Sequence, residues 1–87
     1  MIYVDDCKWT KGPGGRQKYA HMVADSYEEL HEFAAMLGLG RHFFHKSAKY
    51  HHYDISSKFY QKALNMGAET VDSSTILEMS RKMMHGI

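Results

Sequence analysis

Residues 19–38 read Tyr-Ala-His-Met-Val-Ala-Asp-Ser-Tyr-Glu-Glu-Leu-His-Glu-Phe-Ala-Ala-Met-Leu-Gly, and this stretch sets the fold class. Its first six residues form a largely apolar run that halts at Asp25, as a strand does. Ser26 followed three residues later by Glu29 is a capping box, and Tyr27, Leu30, Ala34 and Leu37 recur at helical spacing until Gly38 offers a C-terminal cap. A strand thus runs directly into an amphipathic helix.

Toward the N-terminus, Ile2-Tyr3-Val4 reads as a short first strand stopped by Asp5-Asp6. Residues 8–18 hold Lys8, Lys11, Arg16 and Lys18 with no acid, together with Gly12, Pro13, Gly14 and Gly15, and read as a loop. Toward the C-terminus, residues 41–45 (Arg-His-Phe-Phe-His) read as a third strand, and a tract rich in Lys, His and Tyr follows to His52. Ser56 and Ser57 then open a helix carrying Phe59, Ala63 and Met66 that ends at Gly67. Residues 68–72 supply a short strand, and Ser74 or Thr75, with Glu78, opens a last amphipathic helix through Met83. The expected architecture is one α/β domain over residues 1–87 in the order β-β-α-β-α-β-α: a mainly parallel sheet of about four strands flanked by three helices. In such open sheets ligands sit beyond the carboxyl ends of the strands, which points to Asp5, Asp6, Asp25, the residues after Phe44, and Asp72.

Composition narrows the function classes. The chain has 87 residues, with 11 Lys+Arg against 10 Asp+Glu, and this balance argues against non-specific nucleic-acid binding. Seven histidines would carry the formal charge from +1 to +8 if all were protonated, so its electrostatics depend on pH. The single cysteine, Cys7, excludes an internal disulfide and a cysteine-type zinc site and fits a reducing compartment. No apolar run approaches the roughly 18 residues of a membrane span, and no basic and apolar leader opens the chain. A cytoplasmic location is the expectation, with no membrane partner.

Four groups could carry chemistry. Asp5-Asp6 ends a strand, so the two point to opposite faces and one of them enters a given site. His21, Val23 and Asp25 share one face of the second strand. His31 borders the apolar stripe of the first helix, where packing is the default role. The densest group is Arg41, His42, His45, Lys46, Lys49, His51, His52 and Asp54, interleaved with Phe43, Phe44, Tyr50 and Tyr53. Cations beside aromatic rings suit an anionic ligand with a flat ring, because charge takes the phosphate and the rings stack on the base. No His-Glu-x-x-His or paired-ligand zinc motif occurs. His21, His52 and Asp54 with Asp5 would be a chemically legitimate divalent-metal site, but spacing alone does not bring them together, so no residue is assigned as a metal ligand.

Taken together, Tyr3-Val4-Asp5-Asp6, His21-Met22-Val23-Ala24-Asp25, Glu29-Leu30-His31, Ala34, Leu37-Gly38, Arg41, His52-Tyr53-Asp54-Ile55, Gly67-Ala68 and Val71 resemble the family catalogued as domain of unknown function 4031. The likeness covers nearly the whole chain, with the His-Tyr-Asp triplet and the opening Val-Asp-Asp its most specific parts. It implies a short phage or bacterial protein and brings no assigned activity. The motif residues fall on Asp5, Asp6, His21, Asp25, His31, Arg41, His52, Tyr53 and Asp54. The Lys- and His-rich residues 46–51 depart from the pattern.

Three functions are compatible with these residues. The first is a module, expected to be a homo-oligomer, that binds a nucleotide-like or phosphorylated small molecule: Arg41, Arg16 and Lys18 take the phosphate, Tyr53 or Phe44 stacks, and Asp5 fixes a hydroxyl or amino group. In a phage protein acting in the host cytoplasm, it would sequester a defence signal. The second is a hydrolase or phosphoesterase, metal-assisted or not, with His21 or His52 as acid or base oriented by Asp25 or Asp54, and Asp5 or Asp6 positioning water or a metal. The third is an inhibitor that covers a host protein with the Met-rich exterior of its last helix. The cationic and aromatic residues form a better-defined group than any acid–base–nucleophile set, which favours binding.

Overall fold

The computed structural model describes residues 1–6, 8–12, 15–46 and 50–85, and for residues 8–12 and 15–17 it describes the backbone alone. The elements in chain order are β1 (Ile2–Val4), β2 (Lys8–Gly12), β3 (Gly15–Ala24), α1 (Tyr27–Leu37), a 3₁₀ turn (Arg41–Phe43), β4 (Phe44–His45), β5 (His52–Ser56), α2 (Ser57–Asn65), β6 (Glu69–Thr70) and α3 (Ser73–Met84).

The chain is an α/β domain, but its sheet is mostly antiparallel rather than mainly parallel. The strand order is β4-β5-β3-β1-β6, with β2 also on β3. Only β1 and β6 run parallel among the described strands, with Tyr3 opposite Glu69 and Val4 opposite Thr70. Two reversals account for the difference. Residues 8–12 and 15–18, read as loop, form a two-stranded ribbon in which Gly12 is paired with Gly15 and Lys11 with Arg16; their sequence, with Trp9 its one large apolar residue, has no apolar alternation to announce a strand. The ten-residue β3 then extends back to pair with β1, Ile2 opposite Ala24 and Val4 opposite Met22. The second reversal is the β4–β5 hairpin, which turns β5 antiparallel to β3. Residues 41–45, read as one strand, are a 3₁₀ turn and a two-residue strand.

The helices follow their sequence signals closely. Ser26 Oγ accepts from Glu29 N at 3.2 Å, and Gly38 closes α1 at φ +86°, a conformation that favours glycine. Asp72, rather than Ser74 or Thr75, caps α3: its Oδ1 accepts from Thr75 N at 2.8 Å. Met66 caps α2 and is exposed instead of facing the core.

α1 and α2 pack together on one face of the sheet. Leu30, Phe33, Ala34 and Leu37 of α1 and Ala63 of α2 close over Ile2, Val4, Ala20, Met22, Ala24, Tyr53 and Ile55. Alternation sends His21 and Val23 to the other face. There Val23 is fully buried under α3, which packs on β3 and β1 and buries its own Ile76 and Ser80. Ser80 Oγ donates to His51 O at 2.7 Å and ties α3 to the start of β5.

Candidate functional site

The α3 face of the sheet carries the site. The β1–β3 ladder ends at Val4 and Met22, and the next residue, Asp5, is buried. Its backbone N donates to His21 O at 3.2 Å. In return the Asp5 carboxylate holds His21 twice: Oδ1 accepts from His21 N at 2.7 Å, and Oδ2 lies 2.7 Å from His21 Nδ1. A carboxylate only accepts, so Nδ1 carries a hydrogen and Nε2 is the ring nitrogen turned toward the site. Asp6 is exposed. One of the two aspartates enters the site, as alternation requires.

Across β3, His21 stands opposite Asp54 of β5, and His21 Nε2 is 3.9 Å from Asp54 Oδ1. Two positions earlier on the same face, the buried His52 sets Nε2 3.2 Å from the same Oδ1. Its Nδ1 lies 3.0 Å from Tyr50 O; a carbonyl only accepts, so this Nδ1 also carries the hydrogen. From β4, His45, opposite His52 in the hairpin, brings Nε2 to 2.7 Å from Asp54 Oδ2. Its ring stacks on His52 with centroids 5.3 Å apart, and the Tyr50 ring lies 4.7 Å from His52 and 5.9 Å from His21. Three imidazoles therefore surround one carboxylate.

Burial alone would push the Asp54 carboxyl up. The hydrogen bond from His52 and the charges of His52, His45 and His21 outweigh it and hold the group below its ordinary value. Burial, then the charges of Asp5 and Asp54, push the Tyr50 phenol up. The cluster is not sealed: the side chains of His21, His45 and Asp54 are 40%, 46% and 30% exposed.

Other expected site residues lie elsewhere. Tyr53 points to the helix face opposite His52 and Asp54, is fully buried, and meets His31 Nδ1 through its hydroxyl at 2.7 Å. Arg41 is exposed, and its charge acts on His31 and Tyr53. Phe44 packs against Tyr27, His31, His51 and Tyr53, and Tyr27 Oη is 2.5 Å from His51 Nδ1. Asp25 does not orient His21; it accepts from Tyr3 Oη at 3.0 Å and from the N-terminal ammonium. Lys18 is exposed near the start of β3. The side chain of Arg16, and Cys7 and Lys49 altogether, lie outside the described residues. The cationic and aromatic tract is thus divided between two faces of the sheet, because neighbouring strand residues point opposite ways. His45 and Tyr50, read from the sequence only as part of the cationic and aromatic tract, also join this centre; recognising residues 44–45 as a strand paired with 52–53 would have placed the first.

On the helix face, burial and then the Arg41 charge lower the His31 pKa from its ordinary 6.5. The unfolded chain takes up this proton first as pH falls, so the native state loses stability from about pH 6.5 downward. Chemical denaturation of His31→Asn, whose amide takes the place of Nδ1 opposite the Tyr53 hydroxyl, is expected to show a shallower loss between pH 7 and 5 than the parent; an identical slope would remove His31 from the acid response.

Among family models, the chain matches the one described as Protein of unknown function (DUF4031) over residues 2–83, and it belongs to that family. No curated protein and no solved structure matches it.

Proposed function

We propose that this member of the DUF4031 family is a His/Asp-dependent hydrolase of the phosphoesterase class. Its substrate is a nucleotide-like or phosphorylated small molecule, and its reaction centre is the cluster of Asp5, His21, His52 and Asp54. The supporting observation is the convergence of three imidazoles on the partly exposed Asp54 carboxylate, with His21 fixed from behind by the buried Asp5. Oriented imidazoles that keep one nitrogen toward the site are suited to proton transfer or to metal ligation. Turnover is favoured over simple binding because two of the residues expected to grip and stack a ligand, Arg41 and Tyr53, act on the helix face, while the acid–base residues remain together.

Hydrolysis of a phosphate ester forms a bond from water oxygen to phosphorus, breaks the bond from phosphorus to the ester oxygen, and moves one water proton to the leaving alcohol. The cluster can take and return that proton beside an open face of the sheet.

The test is steady-state hydrolysis of phosphate mono- and diesters, including 4-nitrophenyl esters and linear and cyclic nucleotides, by the parent and Asp54→Asn. The expected result is turnover by the parent and a loss of about 100-fold or more in the variant, with an unchanged far-UV spectrum. Recovery of every ester unchanged, with a raised melting temperature, would overturn catalysis in favour of sequestration.

A further inference from the structure

We propose that the centre holds one divalent transition-metal ion, ligated by His21 Nε2, His52 Nε2 and Asp54 Oδ1. This deepens the hydrolase proposal and rests on it only for the use to which the ion is put. The donor atoms of the three residues lie within 4.8 Å of one another.

The arrangement of the three side chains suits a cation there. Asp5 and the Tyr50 carbonyl fix the hydrogens of His21 and His52 on Nδ1. Both Nε2 atoms then face the Asp54 carboxylate, 3.9 and 3.2 Å from the same oxygen. On neutral rings the Nε2 lone pairs repel the carboxylate unless positive charge lies between them. Two extra protons could supply it, one for each ring, but a single divalent ion satisfies both rings and the carboxylate at once. Metal–nitrogen and metal–oxygen bonds of about 2.0–2.2 Å place cis donors roughly 3 Å apart, so the ion needs only a modest contraction of the two partly exposed side chains, His21 and Asp54.

The surrounding groups match those that serve ligands. A metal-binding histidine characteristically donates its other N–H to a carboxylate or a backbone carbonyl; here His21 uses Asp5 and His52 uses Tyr50. His45 Nε2, 2.7 Å from Asp54 Oδ2, occupies the carboxylate oxygen that the ion does not use, which makes His45 a positioning residue. Two imidazoles and one carboxylate suit Zn²⁺, Fe²⁺, Mn²⁺ or Co²⁺ better than Mg²⁺ or Ca²⁺, which prefer oxygen. Three protein ligands leave positions for water and a phosphate oxygen, as in catalytic rather than structural sites.

Untagged protein stripped with chelator and then titrated with Zn²⁺ or Co²⁺ tests the proposal by calorimetry and by the visible spectrum of Co²⁺. The expected result is one ion per chain, a higher melting temperature, and far weaker binding of Mg²⁺. Affinity should fall at least about 100-fold in His21→Gln, and about 10–100-fold in His45→Ala, which removes the contact to Asp54 Oδ2. His42→Ala, at an exposed histidine outside the cluster, should bind as the parent does. Undiminished binding by His21→Gln, or Mg²⁺ bound as tightly as Zn²⁺, would overturn the site. Stoichiometric metal without ester turnover upholds the site and removes the hydrolase; full turnover by the stripped protein removes the ion and keeps the hydrolase.

Discussion

Asparagine at position 5 is expected to leave the sheet intact and to disable the site. The Asp5 carboxylate accepts two hydrogens from His21, one from the backbone N–H and one from Nδ1. An asparagine can match the first with its amide oxygen, which keeps the end of the β1–β3 ladder. Its NH₂ group then faces Nδ1, and two donors cannot share a bond. The imidazole answers by moving its hydrogen to Nε2, where it points at Asp54 instead of a lone pair. A ligand or base atom becomes a donor, with no change in shape. Loss of the orienting carboxylate of a metal-bound histidine typically costs 10–100-fold in metal affinity or activity, and a wrong tautomer in an acid–base centre costs up to about 10⁴-fold in kcat. Ester turnover in Asp5→Asn should therefore fall by about 100-fold or more, while the melting temperature moves by only a few degrees. Two-bond ¹⁵N–¹H spectra of His21 report the tautomer directly. An unchanged rate together with a switched tautomer would show that His21 Nε2 takes no part in the chemistry.

Leu30→Ala is expected to cost a large share of the stability of the domain. Leu30 is fully buried at the centre of the apolar face of α1, in one cluster with Phe33, Ala34, Leu37, Met22 and Ile55. Truncating a buried leucine removes its transfer free energy and leaves a cavity that neighbours only partly refill, about 3 kcal/mol in all. For a domain of this length, that lowers Tm by roughly 15 °C, and total stabilities are only about 5–15 kcal/mol. Equilibrium unfolding in urea measures it as a lower midpoint with an unchanged slope. A loss below about 1 kcal/mol would show that α1 does not seal the sheet. Below its own transition the variant should bind metal as the parent does, because Leu30 and the site lie on opposite faces.

The elements that could be read from the sequence are those whose causes are local. Ser26 and Gly38 act within one turn of the helix they delimit, and Leu30, Ala34 and Leu37 form its stripe by spacing alone, whereas the Glu29 carboxylate pairs with the N-terminal ammonium. The separation of Asp5 from Asp6, and of His21 and Val23 from Ala20 and Met22, follows from strand alternation. The residues of the centre were legible as types: His21, His52, Asp54 and Asp5 stood out as candidates, and all four meet.

Strand direction was not legible, because it depends on which segment reverses against which. Residues 8–12 and 15–18 hold one large apolar residue, Trp9, and no alternating apolar pattern, so nothing local marks them as the strands that turn β3 back onto β1. The carboxyl-end rule of parallel sheets therefore located the site only in part. Asp5 does follow β1, but His21 lies within β3, and His52 and Asp54 lie within β5. Nor could one-dimensional clustering show that Arg41 and Tyr53 act on the helix face while His45, seven positions before His52, faces it across a hairpin. By itself the sequence determined the α/β class, the helices and the chemical types at the centre, because helical spacing, capping and alternation act over a few residues. The tertiary structure alone decided that the sheet is mostly antiparallel and that three imidazoles surround Asp54, because pairing between distant strands is fixed by burial of a shared core rather than by neighbours in the chain.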